Sequence, residues 1–186
     1  MKLSNIKPNI VVVGSSSIDL ILKTSKIPTA NNTVLAESLQ SFLGGKGANQ
    51  AIATSRLGAQ TYFISRVGMD PFGQQVLRNL NDEAVNVANV VEDEDEDTGT
   101  AYVTASEEGN AITVVPAANY NLSPTDISEA EKYLVAADLI LTQLEIPMQT
   151  VEFLFKKAET LNKKIGIYAA PASRLSDEII QYASFI

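Results

Sequence analysis

The 186-residue chain contains no cysteine and no histidine, and each absence narrows what it can do. Without cysteine there is no disulfide, no thiolate nucleophile and no thiolate ligand for a metal. Without histidine there is no imidazole ligand, and the commonest general base is missing. Any acid–base chemistry is therefore left to carboxylates, lysine and tyrosine.

Positive charge is also scarce. The chain has 14 lysines and arginines against 22 aspartates and glutamates, a net charge of −8. Binding to nucleic acid needs concentrated positive charge, and no basic stripe occurs along the sequence. We therefore expect a small-molecule partner and no nucleic acid.

Long apolar runs are missing as well. The longest candidate, residues 134–141, is interrupted by Asp138 and falls short of the roughly 18 residues that a membrane-spanning helix needs. Residues 1–8 lack the apolar core of a signal peptide. With 45% hydrophobic and 19% charged residues, the composition is typical of one globular domain, which we expect to be cytoplasmic and to have no membrane partner.

The most informative segment that is present is a glycine-rich turn at residues 44–50, Gly-Gly-Lys-Gly-Ala-Asn-Gln. A helix-forming run follows it, so backbone N–H groups at the helix start, Lys46 and Asn49 would face the same place, as suits an oxygen-rich ligand. The spacing excludes a P-loop, because Gln40 stands where its first glycine should be and Gly47 follows the lysine. The alternative is that the glycines only permit a sharp turn and that Lys46 is solvated.

The rest of the chain alternates between strand and helix patterns. Short apolar runs at 10–13, 62–65, 139–142 and 165–168 predict buried strands, and helical patterns cover 46–57, about 72–82, 123–135, 147–161 and 176–184. This alternation predicts an α/β fold with a mostly parallel sheet covered by helices. Because Phe185 and Ile186 begin a new apolar run, we expect the sheet to be incomplete at residue 186.

Two regions depart from this alternation of strands and helices. Strand-like segments at 18–24 and 34–42 flank a polar loop, and those at 98–105 and 111–115 read as a hairpin. We expect the regions at about 15–43 and 98–116 to form a small second sheet over the mouth of the first, as a lid. The alternative is an extension of the main sheet at its edge.

Residues 92–97 are six consecutive acids. A metal site needs carboxylates that converge from different turns or loops, whereas a consecutive run repels itself and stays solvated. The run therefore favours a solvated linker leading into the hairpin over a cation site.

Two acids stand close to predicted strand ends. Asp19 follows the first strand, and Glu145 follows the strand at 139–142. In open α/β sheets ligands collect beyond the carboxyl ends of the strands, and an ionised carboxylate accepts hydrogen bonds from neighbouring hydroxyls. With Asn49 these acids predict a site for a polyhydroxy ligand. Taken singly, each acid is more often solvated or a helix cap.

At these residues the chain resembles the ribokinase-like (PfkB) sugar kinases. The resemblance is carried, in family order along nearly the whole chain, by the segments at 12–15 with Asp19, 44–51, 67–73, 98–99, 118–119, 143–145 and 170–172. The combination of Gly-Gly-Lys-Gly-Ala-Asn with Val-Gly-x-Asp-x-x-Gly is specific to that family.

The resemblance implies a Rossmann-like α/β core with a β lid that often also forms a homo-oligomer interface. It implies ATP and Mg²⁺ as cofactors of the full-length enzyme, and transfer of the γ-phosphoryl group to the primary hydroxyl of a sugar, with ribose favoured. The residues that it implies as the sugar site are Ser17, Asp19, Gly44, Gly45, Lys46, Asn49 and Glu145.

The sequence also departs from the family pattern. The Gly-x-Gly-Asp motif that supplies the family's catalytic base does not occur in the 186 residues. We therefore expect the nucleotide-binding half to be absent, no residue of this chain to hold ATP or Mg²⁺, and the chain alone to be inactive. Ser17 replaces the usual asparagine, which removes an amide from the site.

Three functions remain open. The chain is the sugar-binding part of a ribokinase-type enzyme, or a non-catalytic module that binds a sugar or pairs through its lid. The third possibility, suggested by Ser17, is a kinase for another sugar or a nucleoside.

Overall fold

A computed structural model describes residues 7–186 of the chain. Residues 1–6, and with them most of the segment expected to lack a signal core and the start of the expected 1–186 domain, lie outside the described residues. Within residues 7–186, no helix is long and apolar enough to cross a membrane.

The elements alternate as the sequence predicts. The strands are β1 (Asn9–Val13), β2 (Ser17–Thr24), β3 (Ala36–Gly44), β4 (Gln60–Gly68), β5 (Asn86–Asp93), β6 (Thr100–Ser106), β7 (Gly109–Val115), β8 (Leu139–Gln143) and β9 (Ile165–Tyr168). The helices are α1 (Lys46–Arg56), α2 (Pro71–Asp82), α3 (Pro124–Glu129), α4 (Glu131–Ala136), α5 (Met148–Thr160) and α6 (Asp177–Tyr182), with a 3-10 helix at Ala117–Asn121.

The main sheet is parallel and has the order β5-β4-β1-β8-β9. Its central strand is buried on both faces: Val11 and Val13 pack into the core formed with α3 to α6, and Val12 packs into the core formed with α1 and α2. A continuous valine run suits such a strand, because neither face meets water. The predicted α/β architecture with a mostly parallel, helix-covered sheet is confirmed.

A separate four-stranded sheet has the order β3-β2-β6-β7. Its outer pairs are antiparallel, whereas β2 and β6 are parallel. The predicted second sheet is therefore confirmed, and the alternative of an edge extension of the main sheet is wrong. Ile18, Leu20 and Leu43 attach this sheet to the core beside α1 and α2.

Two local predictions are wrong. The helix expected at 123–135 is two short helices, because the backbone at Ala130 ends α3 and Tyr133 N donates a tight hydrogen bond to Ala130 O. The strand β5 is absent from the predicted elements, because its half-exposed side chains lack a clear period of two and it runs directly into the acidic segment.

The acidic segment is not solvated throughout. Glu92 and Asp93 belong to β5, and Asp93 is buried, with its Oδ2 2.8 Å from Arg66 Nη1. Burial acts to raise the pKa of Asp93, but hydrogen bonds from Asn121 and Arg66 outweigh it and lower that pKa. Arg66 also pairs through Nη2 with Asp126 Oδ1 at 3.0 Å, so one guanidinium joins β4, β5 and α3.

We predict that Arg66→Met lowers the free energy of unfolding by about 3–5 kcal/mol, because it leaves two buried carboxylates without their cation. Each of those carboxylate side chains is only 4% exposed. Urea denaturation followed by circular dichroism measures the change. Arg56→Met is the matched control, because it breaks an exposed pair with Glu83 and should change stability little. Equal effects of the two substitutions would contradict the prediction.

Candidate functional site

The site is built where the chain passes between the two sheets. Residues 14–17 leave the carboxyl end of β1 and enter β2, and Gly44–Gly45 lead from β3 into α1. Glu145 follows β8, the neighbour of β1 in the main sheet. Three segments that are distant in sequence therefore meet at one edge of the parallel sheet, where ligands bind in α/β folds.

Glu145 connects these segments. Its Oε2 accepts hydrogen bonds from Ser15 Oγ at 2.6 Å and from the backbone N of Lys46 at 2.9 Å. Its Oε1 lies 3.0 Å from Lys46 Nζ. A carboxylate at the N-terminal end of a helix is also favoured by the helix dipole, so α1 and Lys46 together hold this acid ionised.

The first backbone N–H groups of α1 already have hydrogen-bond acceptors within the protein. Besides Lys46 N, the N–H of Gly47 points to Ser15 Oγ at 3.4 Å, and Ala48 N donates to Ser15 O at 2.9 Å. The prediction that the N–H groups at the helix start are available to a ligand is therefore wrong for these three residues. The alternative that Lys46 is solvated is wrong as well, because its ammonium pairs with Glu145.

The turn requires glycines because its backbone lies very close to residues 15, 16 and 19. A Cβ on Gly47 would lie 2.6 Å from Ser15 O, and Gly45 has a φ of +89° in which its Cβ would lie 2.6 Å from Ser16 Cα. A Cβ on Gly44 would lie 2.0 Å from Asp19 Oδ1. The turn is therefore shaped to bring the start of α1 against residues 14–17 and to leave space for Asp19.

Asp19 lies within β2 and points toward the same place. Its Oδ1 accepts a hydrogen bond from Ser17 Oγ at 3.1 Å, and the carboxylate is half-buried. Burial, with a smaller contribution from the negative charge of Glu145, raises the pKa of Asp19. The pKa of Glu145 moves the opposite way: burial acts to raise it, but Ser15, the Lys46 amide and the Lys46 ammonium outweigh burial and lower it.

A cavity of about 570 Å³ contains these groups. It is lined by all of the predicted site residues except Gly44, namely Ser17, Asp19, Gly45, Lys46, Asn49 and Glu145. Gly44 instead lies against the carboxylate of Asp19. A larger groove, of about 740 Å³ between α5 and α6, contains none of these residues.

Sequence reasoning missed part of the lining. One wall is apolar and comes from the second sheet, through Ala101, Val103, Ile112 and Val114. These residues alternate along β6 and β7 and so share one face with Asp19, a signal that the predicted hairpin register contained. Ser15 was also missed, although it stands two residues after the first strand.

Comparison with known proteins finds related sequences and structures. The sequence model described as pfkB family carbohydrate kinase matches residues 7–186. The ribokinase of Bacillus subtilis is 38% identical over 178 residues, which are 96% of this chain and 61% of that protein. The deoxyribokinase of Salmonella typhi is 33% identical over 171 residues, 91% of this chain and 56% of that protein.

A solved structure has the same fold. The ribokinase of Arabidopsis thaliana, described as complexed with ribose and ATP, superposes with a TM-score of 0.86 and 27% identity, over 96% of this chain and 59% of that one. The chain thus spans between 56% and 61% of the length of the relatives named here.

We predict that Lys46→Met raises the pKa values of both Glu145 and Asp19, because the Lys46 ammonium lowers both. Carboxyl ¹³C NMR titration measures them.

In the unsubstituted chain, the Glu145 carboxyl should titrate below pH 4.5 and the Asp19 carboxyl above pH 3.8. Glu145 then contributes stability above pH 4.5 that is lost as pH falls through its lowered pKa, whereas Asp19 costs stability as pH rises from 3.8 through its raised pKa.

The control is Lys23→Met, which removes an equal charge from an exposed pair with Glu37 on the second sheet. Both site pKa values should stay unchanged in it. A Glu145 pKa that does not move in Lys46→Met would overturn the assignment of this ion pair.

Proposed function

The chain belongs to the pfkB family of carbohydrate kinases, and we propose that its cavity binds ribose as the phosphoryl acceptor of an ATP-dependent sugar kinase. The observation that carries the proposal is the convergence of Asp19, Lys46, Asn49 and Glu145 in one cavity with an apolar wall. The relatives support the choice of sugar, since those named above include a ribokinase and a ribokinase complexed with ribose and ATP.

The polar side of the cavity suits neighbouring hydroxyl groups. An ionised carboxylate has about four acceptor positions, and among residues 7–186 the Asp19 carboxylate accepts only the bond from Ser17. Asp19 therefore has room for hydrogen bonds from two adjacent sugar hydroxyls. Glu145 already accepts from Ser15 and twice from Lys46, which leaves about one position for a sugar hydroxyl.

The other side suits the carbon skeleton of the sugar. Val103, Ile112 and Val114 of the second sheet form an apolar surface that faces the polar groups across the cavity. Contact with the C–H groups of a sugar ring would remove water from both and strengthen the charged hydrogen bonds opposite. We propose that the second sheet acts as a lid in this sense.

The chemistry of the proposed enzyme is phosphoryl transfer. The oxygen of the sugar's primary hydroxyl bonds to the γ-phosphorus of ATP, the bond from that phosphorus to the ADP oxygen breaks, and the hydroxyl proton passes to a base. Asp19 and Glu145 hold hydroxyls in this proposal, and neither is assigned as the base.

We propose that the residues of this chain do not by themselves hold ATP with Mg²⁺. Over residues 7–186, no group of three or more histidine, cysteine, aspartate or glutamate side chains is arranged to hold a metal ion. The Gly-x-Gly-Asp motif does not occur in the sequence. The role that we propose for residues 1–186 is therefore confined to binding and orienting the sugar, without turnover by this chain alone.

We predict that isothermal titration calorimetry detects ribose binding to residues 1–186 and that Asp19→Asn raises the dissociation constant at least about tenfold. Hydrogen bonds to a charged group contribute about 1.5–3 kcal/mol each, and a factor of ten corresponds to about 1.4 kcal/mol. Asp82→Asn is the charge-matched control, because Asp82 is an exposed residue at the end of α2 and does not line the cavity.

Further measurements separate the alternatives. Absence of ribose binding at millimolar sugar would count against the proposal. Phosphorylation of ribose by residues 1–186 would refute the claim that this chain binds the sugar without turning it over. Preference for 2-deoxyribose, fructose or adenosine over ribose would favour a kinase for another substrate. The relative named as a deoxyribokinase makes 2-deoxyribose the first competitor to test.

We also propose that the second sheet mediates homo-oligomer formation. It exposes large apolar side chains that do not line the cavity, namely Leu35 beside β3, with Leu39 and Phe42 on β3. Size-exclusion chromatography with light scattering should show an oligomer that Leu39→Glu dissociates. Ile180→Glu, an equally apolar exposed position on α6, is the control, and a stable monomer of the unsubstituted chain would refute the proposal.

A further inference from the structure

Three strand connections between the two sheets pass through one point. They are residues 14–17 between β1 and β2, the segment that enters β6 through Gly99, and the segment that leaves β7 through Pro116. The orientation of the second sheet relative to the main sheet depends on how these crossings are held. The side chain of Asn119, from the 3-10 helix, lies among all three.

Asn119 is 4% exposed and fully engaged. Its Oδ1 accepts from the backbone N of Ser16 at 2.8 Å, and its Nδ2 donates to Ser16 O at 2.8 Å and to Pro116 O at 3.0 Å. The amide thus satisfies both backbone polar groups of Ser16, as a neighbouring strand would. It joins that crossing to the one that leaves β7.

The third crossing is held by close packing. A Cβ on Gly99 would lie 2.3 Å from Asn119 Nδ2 and 3.0 Å from Ser16 O, so no larger residue fits at this position. The carbonyl of Gly99 accepts from Ile18 N at 3.0 Å, which starts the parallel pairing of β2 with β6. The Asn119 amide is therefore packed between the crossings, where its loss would leave buried backbone groups without partners.

We propose that Asn119 is a positioning residue that fixes the second sheet against the main sheet. Asn119 itself lines the cavity. Its effect also reaches the cavity through Ser16, because the residues on either side are Ser15, which donates to Glu145, and Ser17, which donates to Asp19. The same contact sets the apolar wall, since β6 begins directly after Gly99 and β7 ends directly before Pro116. Asn119 therefore sets the distance between the polar and the apolar sides of the cavity.

The sheet-to-sheet distance can be measured without any ligand. Because the chain has no cysteine, Thr113→Cys on β7 and Leu57→Cys at the end of α1 provide two exposed spin-label sites. Double electron–electron resonance, with labelled chain diluted into unlabelled chain, gives the intramolecular distance distribution. In Asn119→Ala this distribution should become broader than in the unsubstituted protein.

The control is Thr150→Ala. It removes another buried hydrogen bond from a side chain to the backbone, from Thr150 Oγ1 to Leu122 O at 2.7 Å, which lies at the C-terminal end of the same 3-10 helix and not at a crossing. Its distance distribution should match that of the unsubstituted protein. An unchanged distribution in Asn119→Ala, or equal broadening in both variants, would overturn the proposal.

Two further variants cover the case in which Asn119→Ala fails to fold. Asn119→Asp keeps the shape but loses the Nδ2 donors, and Gly99→Ala places a methyl group against Nδ2. Both should broaden the distribution, and a distribution unchanged in both would overturn the proposal.

A second readout rests on the proposed ribose site. The ribose dissociation constant should rise about tenfold in Asn119→Asp, as expected when one or two polar contacts in a site are misplaced, and stay unchanged in Thr150→Ala. If the unsubstituted chain binds no ribose, the proposed function fails while the distance measurement still decides the role of Asn119.

Discussion

The site depends on a carboxylate held at the N-terminal end of α1. Glu145 accepts from Ser15 and from the amide and ammonium of Lys46, so one side chain joins the ends of β1 and β8 to the turn that starts α1. These bonds outweigh the desolvation cost of a half-buried acid, which is why its pKa falls. Without that acid, the helix start, residues 14–17 and Lys46 would lose the group that keeps them together, and the polar side of the cavity would lose its shape.

Much of this could be predicted from the sequence because the decisive signals are local. The apolar runs of β1, β8 and β9 predict buried parallel strands, and the Gly-Gly-Lys-Gly turn predicts a close approach before α1. The position of Glu145 follows from a strand end in the parallel sheet, whereas Asp19, expected beside such an end, lies within β2 of the second sheet. The predictions that failed concern features that depend on residues distant in sequence. The strand β5 has a weak pattern and is defined by its pairing with β4, and Asp93 is buried because Arg66 and Asn121 meet it from elsewhere in the chain.

The same limit explains the misjudged amides of α1. A glycine-rich helix start predicts unsatisfied N–H groups from local geometry alone, and a ligand is one way to satisfy them. Here the protein satisfies three of them with Glu145 and Ser15, 99 and 32 or 33 positions away in sequence. The groups that remain for the proposed sugar are side chains: Asp19, Asn49 and the one unused acceptor position of Glu145. Local reasoning predicted residues that the structure brings to one cavity, but its expectation of free amides at the start of α1 was wrong.

Because the residues of the site are far apart in sequence, they are synthesised at different times. Lys46 is made 99 residues before Glu145, and Ser15 precedes Glu145 by 130 residues. At a synthesis rate of about 5–20 residues per second, Glu145 is made on the order of ten seconds after Ser15 and Lys46. During that interval Lys46 and the first amides of α1 have no Glu145, and β1 lacks its neighbour β8. The proposed sugar site is therefore incomplete until Glu145 is made, which is after all four strands of the second sheet.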